Sequence, residues 1–173
     1  MKRRNVLAAL LAAFSGGYHR AARAEDAALF NASPEKVRLI PDAWHIRNVG
    51  RLSDGRLYFV DSQLDYDSGS TRDFVCTFLF GADGSLVEHS IELIGTRGSY
   101  PDGSVGDALK RHLQALDVGM PTDIWVRPFS IDNNGAIFGL IPRRTKAGEW
   151  RVEFMPGNTL SFYPPWEAGE YDT

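Results

Sequence analysis

Residues 72–94 read RDFVCTFLFGADGSLVEHSIELI: two runs of alternating apolar side chains joined by Gly81, Ala82, Asp83 and Gly84. This period of two predicts a β-hairpin, because successive side chains on a strand point to opposite faces. In the first run Phe74, Cys76, Phe78 and Phe80 share one face, and Val75, Thr77 and Leu79 share the other. Both faces are mostly apolar, so this arm is expected at the centre of a sheet and covered on both sides. In the second run Val87, His89, Ile91 and Leu93 oppose Leu86, Glu88, Ser90 and Glu92, the pattern of an antiparallel strand with one wet side. Asp83-Gly84 supplies the positive-φ position of the turn.

Downstream of the hairpin lies one helical pattern. Val105, Ala108, Leu109, Leu113 and Leu116 recur on one face, with Lys110, Arg111 and Gln114 off it. Ser104 followed by Asp107 reads as the N-cap, and Gly119 and Pro121 read as the stop. The remainder is β. Upstream, Val37 to Ile40 reads as a short strand, and residues around Trp44, Ile46 and Leu52 pair with 57–60 across the Ser53-Asp54-Gly55 turn. Residues 61–73 read as a polar loop. Downstream, 124–131 turns at Asn134-Gly135 into 136–141, and 150–155 turns at Pro156-Gly157-Asn158 into 159–163. Pro128 marks an edge strand or a bulge. The resulting fold class is α+β: a curved antiparallel β-sheet of about seven or eight strands with one amphipathic helix packed on it.

The first residues read as a cleaved export segment. Lys2, Arg3 and Arg4 form a charged start, residues 6–14 a short Ala/Leu-rich run, and Ala22-Arg23-Ala24 an A-x-A cleavage site. The run is shorter than the about 20 residues that span a membrane. Arg3-Arg4-Asn5-Val6-Leu7 resembles a twin-arginine leader, read by the export route for folded proteins, with an ordinary secretory leader as the alternative. The expected location is periplasmic or secreted. The organisation is then 1–24 leader, 25–34 connector, 35–163 a single domain, and 164–173 a tail.

Loss of the leader leaves 149 residues with 14 basic and 22 acidic side chains, a net charge of −8. That balance argues against nucleic acid and against anionic membrane surfaces. The single cysteine, Cys76, permits no intramolecular disulfide, and its place among phenylalanines reads as a small buried hydrophobe.

Chemistry is sparsely signalled. His45, His89 and His112 fit no zinc spacing, and no G-x-S-x-G, C-x-x-C or G-x-G-x-x-G frame occurs. No catalytic residue and no cofactor is expected. Arg97 with the Gly98–Ser104 loop reads as a plain loop, since Asp102 and Asp107 already place negative charge at the helix start. Asp65 and Asp67, two apart before Gly69, have the start of a calcium loop without the distal glutamate; calcium there is the minor reading and a solvated loop the major one.

The tail carries the remaining signal. Pro164-Pro165 excludes helix and ladder, and Trp166 and Tyr171 are flanked by Glu167, Glu170 and Asp172. The first reading is an edge cover; the second is a partner-docking surface of Trp166, Glu167, Glu170 and Tyr171. A third reading gives carbohydrate binding to an open Trp125, Trp150 or Trp166 ring. Together these features suggest a non-catalytic exported module that binds a protein or small ligand, of inhibitor, immunity or accessory type. The alternative is a small periplasmic enzyme or metal-dependent protein exported folded, which requires a histidine to meet an acidic residue in a pocket.

Overall fold

In the computed structural model, which describes residues 33–66 and 69–173, the chain runs through β1 (Val37–Leu39), β2 (Asn48–Leu52), β3 (Leu57–Asp65), β4 (Arg72–Phe80), β5 (Leu86–Thr96), α1 (Ser104–Gln114), β6 (Val118–Pro121), β7 (Ile124–Val126), β8 (Phe129–Asn133), β9 (Ala136–Arg144), β10 (Trp150–Met155), β11 (Leu160–Phe162) and β12 (Tyr171–Asp172). The leader residues Arg3, Arg4, Ala22 and Ala24 and most of the connector lie outside the described residues, as does Asp67.

Antiparallel sheet with one helix is the observed class, but a single curved sheet of seven or eight strands is not. Two five-stranded antiparallel sheets face each other, in the orders β5-β4-β3-β2-β6 and β12-β11-β10-β9-β8, and β1 pairs with β7 beside them. The division falls at Pro128, which has no N–H to give a ladder. Before it the chain pairs with β1; after it, β8 opens the second sheet as an edge strand.

Alternation explains how the sheets meet. Phe59, Phe74, Phe78 and Phe80 leave the first sheet on the face that meets Phe138, Leu140, Phe154 and Phe162 of the second, and all are buried. Phe59 and Phe154 stand 5.0 Å apart between ring centres, Phe74 and Phe138 5.0 Å, and Phe78 and Phe129 5.0 Å. Such aromatic pairs add about 0.5–1.5 kcal/mol each beyond the area they bury. Cys76 is fully buried in this layer, and burial first, then the nearby Asp61 charge, pushes its thiol pKa up.

The opposite face of the first sheet receives the helix. Leu109, Leu113 and Leu116 pack on Leu52, Tyr58, Val60 and Leu79. β4 is therefore covered on both faces as its sequence requires, although β3 and not β4 is the middle strand.

Four local readings change. Both ends of the expected loop at 61–73 are strand, because β3 continues to Asp65 and pairs with β4 as far as Asp65 and Arg72. A bulge at Val87 lets Leu86 pair with Phe80 while Glu88 pairs with Leu79, which turns Leu86 inward and leaves Val87 outside. His89 and Leu93 share the inner face but lie on the edge strand, and both are exposed. The helix is capped by Gly103 at φ 88°, and the Ser104 hydroxyl donates to the Pro101 carbonyl instead of capping; Gly119 and Pro121 lie in β6 and not at the helix end. The Asn134-Gly135 turn does take positive φ at both residues (53° and 80°), the geometry of a two-residue hairpin.

The tail is part of the fold. Trp166 is buried in the core, Tyr171 begins a strand pairing with β11, and the Arg38 backbone N–H donates to the Trp166 carbonyl. Replacing Phe154 by Ala is expected to cost about 3–5 kcal/mol in urea unfolding, against less than about 0.5 kcal/mol for Leu93→Ala at the exposed edge. Deleting residues 164–173 should lower the melting temperature clearly, since it removes Trp166 from the core and uncovers β11.

Candidate functional site

The helix meets the first sheet apolar against apolar over β3 and β4, but beside β5 the contact turns polar. The outward side chains of β5 there are Glu88, Ser90 and Glu92, which pair with Leu79, Thr77 and Val75. Facing them are Arg111 and His112, from the last turn of α1. Between the two elements a groove of about 290 Å³ is left open. It is lined by Thr77 and Leu79 of β4, by Glu88, His89 and Ser90 of β5, and by Arg111, His112, Ala115 and Leu116 at the end of the helix.

His112 is placed by the helical repeat. It lies four residues after the buried Ala108 and three after Leu109, so the ring turns toward the sheet. Thr77 is the only polar residue among Val75, Thr77 and Leu79 on the strand face beneath. The two meet at 2.8 Å between Thr77 Oγ1 and His112 Nδ1, and His112 Nε2 lies 3.1 Å from Glu92 Oε2. A carboxylate can only accept, so Nε2 donates to Glu92, and Nδ1 shares its hydrogen bond with the Thr77 hydroxyl. Arg111 Nη2 donates to the other Glu92 oxygen at 2.6 Å. The His112 side chain keeps 10 % of its surface, whereas those of Arg111 and Glu92 keep 58 % and 37 %.

A hydroxyl, an imidazole and a carboxylate in line can hold and pass a proton. Thr77 is only 6 % exposed, however, so its hydroxyl does not stand open to a reacting carbon. What the relay does in the structure itself is tie α1 to β4 and β5 by directional bonds where apolar packing ends.

The other sequence candidates lie apart. His89 shares the groove with His112, but His45 stands at the tail, its Nδ1 3.3 Å from the Tyr171 hydroxyl. That hydroxyl donates to Asp42, whose carboxylate also accepts the backbone N–H groups of Trp44 and His45. Burial, the Asp42 hydrogen bond and the Asp42 charge push Tyr171 up to about 12. Burial alone would raise Asp42, but the bonds from Tyr171 and from the backbone of Trp44, His45 and Ile46 hold it below the ordinary carboxylate range.

Of the four tail residues considered for docking, Trp166 is buried and Tyr171 half-buried, and Glu167 and Glu170 are exposed. Among the tryptophans considered for sugar, Trp150 carries the Arg144 guanidinium 5.0 Å over its ring and Trp125 is 39 % exposed. Asp65 is buried and ion-paired with Arg72, whose Nε lies 3.0 Å from its carboxylate. Arg97 pairs with Asp73 at 2.8 Å. Among the described residues no group of three or more His, Cys, Asp or Glu side chains is arranged to hold a metal ion, and no helix is long and apolar enough to cross a membrane.

The Thr77–His112–Glu92 contact was not visible as a motif, because its members come from two strands and a helix. The signals were a lone threonine on an apolar face and a histidine beside a leucine stripe.

The chain matches no family model, no curated protein and no solved structure.

His112→Ala is expected to lower the unfolding free energy by about 1–3 kcal/mol in urea titration, since it strips the ring from the largely buried Thr77 hydroxyl and from Glu92. Arg111→Ala, at an exposed ion pair, should cost no more than about 1 kcal/mol.

Proposed function

We propose that this chain is an exported, non-catalytic binding module that holds a small ligand in the groove between α1 and β5. The observation that carries the reading is the composition of that groove: apolar Leu79, Ala115 and Leu116 together with polar groups from both a helix and a strand. Small-molecule sites combine these features, apolar area for affinity and a few fixed polar groups for orientation. The groove's position also favours it. Its walls are a helix and two paired strands, so they are held by the same packing that holds the fold. Support for export comes from the leader-like residues 1–24.

A second reading, acid–base chemistry at His112, is favoured by the relay from Thr77 through His112 to Glu92. The low exposure of Thr77 places it behind the binding reading.

Titration with 8-anilinonaphthalene-1-sulfonate, a fluorescent probe with apolar rings and an anionic head, tests the first reading. Emission should rise with the native chain and fall to the background level in Ala115→Trp, whose indole would fill the groove from an exposed position; no rise with the native chain would contradict it. Hydrolysis of p-nitrophenyl acetate above the buffer rate that disappears in His112→Asn would move the assignment to the second reading. The export part predicts that protein recovered from the periplasm has the denatured mass of a chain beginning at Glu25.

A further inference from the structure

β2 has five residues and β3 nine, and their ladder ends where Asn48 pairs with Val60. Residues 61–65 of β3 are therefore laddered on one side only, to β4. A cavity of about 400 Å³ lies there, and the consecutive residues Asp61, Ser62, Gln63 and Leu64 all line it, which places it along the strand edge instead of above one face. Trp44 and His45, the ion-paired Asp73 and Arg97, Tyr100 and Thr159 are also in its wall.

Two acceptors on this wall lack a donor, and a carboxylate beside them lacks a counter-charge. Gln63 is 1 % exposed, and its Nε2 donates to Asp61 Oδ2 and to the Ser62 carbonyl, each at 3.1 Å. Turning the amide over would set its oxygen against the Ser62 carbonyl, so Oε1 faces the other way, where no donor of the described residues reaches it. The buried Thr159 Oγ1 is likewise without a partner. Asp61 makes no ion pair among the described residues; Arg47 acts on it only at longer range. Buried acceptors and carboxylates are ordinarily satisfied. At the rim the Trp44 ring is 75 % exposed, on a backbone pinned by Asp42.

We infer that this cavity is a second binding site, separate from the groove beside α1, and that it takes a small organic cation bearing N–H donors, a primary amine, paired with Asp61 and lying against Trp44. An ammonium supplies the missing charge to Asp61 and N–H donors to Gln63 Oε1 and Thr159 Oγ1 after a small side-chain adjustment, and an aromatic face attracts a cation. Binding is pH-dependent. Burial pushes Asp61 up to about 7, against the hydrogen bonds from Ser62 and Gln63 and the Arg47 charge. The other groups around it are the Cys76 thiol, itself pushed up, His45 at the rim, and Asp73, whose charge is met by Arg97 and Tyr100. The carboxylate that the amine needs therefore forms as pH rises through about 7.

Isothermal titration of the full chain with benzylamine tests this. Binding is expected at about pH 8, weaker by about tenfold or more at about pH 5.5, lost in Asp61→Asn and weakened in Trp44→Ala. Asp61→Asn keeps the side-chain shape, and its circular dichroism should match that of the parent chain. Benzyl alcohol, the neutral isostere, should not compete, and Ala115→Trp should leave the amine titration unchanged, which separates this site from the groove. No heat with benzylamine at about pH 8, binding that survives in Asp61→Asn, or equal binding of benzyl alcohol overturns the proposal.

Discussion

The aromatic layer between the two sheets is the constraint on which the rest depends. Phe59 and Phe78 from the first sheet meet Phe154 from the second, and Phe74 meets Phe138, so the inner faces are bound by interdigitated rings and not by a single curved sheet closing on itself. Once the inner face of the first sheet is spent in this way, its outer face still carries Tyr58, Val60 and Leu79, and these need a cover. The one amphipathic helix supplies it. Because the helix stripe of Leu109, Leu113 and Leu116 is narrower than the sheet, it covers β3 and β4 and leaves the polar side of β5 beside it. The groove is a consequence of that difference in width.

Unequal strand length sets up the other feature of the fold. β2 stops at Asn48 while β3 runs on to Asp65, and the chain before β2 is left as a loop carrying Trp44 and His45. The tail then acts at a distance from its own strand. Trp166 enters the core, and the Tyr171 hydroxyl bonds to Asp42, the residue that holds the loop backbone. The aromatic and acidic tail thus holds the loop of Trp44 and His45, which lies more than 100 positions earlier and lines the cavity.

Much of the framework was legible in the sequence because it is written in periodicity. The two-sided burial of residues 74–80, the leucine stripe of the helix and the Asn134-Gly135 turn all follow from local pattern and local backbone preference. What was not legible depended on pairing. Asp61, Gln63 and Asp65 read as loop because polar residues in a row look solvated, yet they alternate with Ser62 and Leu64, and the partner strand β4 is long enough to hold them in register. The Val87 bulge reverses the facing of Leu86, and no residue at that point announces it. The separation into two sheets needed the partner of each strand, although Pro128 marks the place of the break. The side chains of the candidate site were hidden for the same reason: Thr77, Glu92 and His112 become neighbours only when helix and sheet are assembled.

The face-to-face packing of the sheets is tested most directly by a proton NOESY spectrum of the labelled chain in solution. Cross-peaks between the ring protons of Phe59 and Phe154, and between those of Phe74 and Phe138, are expected from ring centres 5.0 Å apart in each pair. Assigned ring resonances with cross-peaks only within each sheet would contradict the sandwich, and with it the origin of both the groove and the cavity.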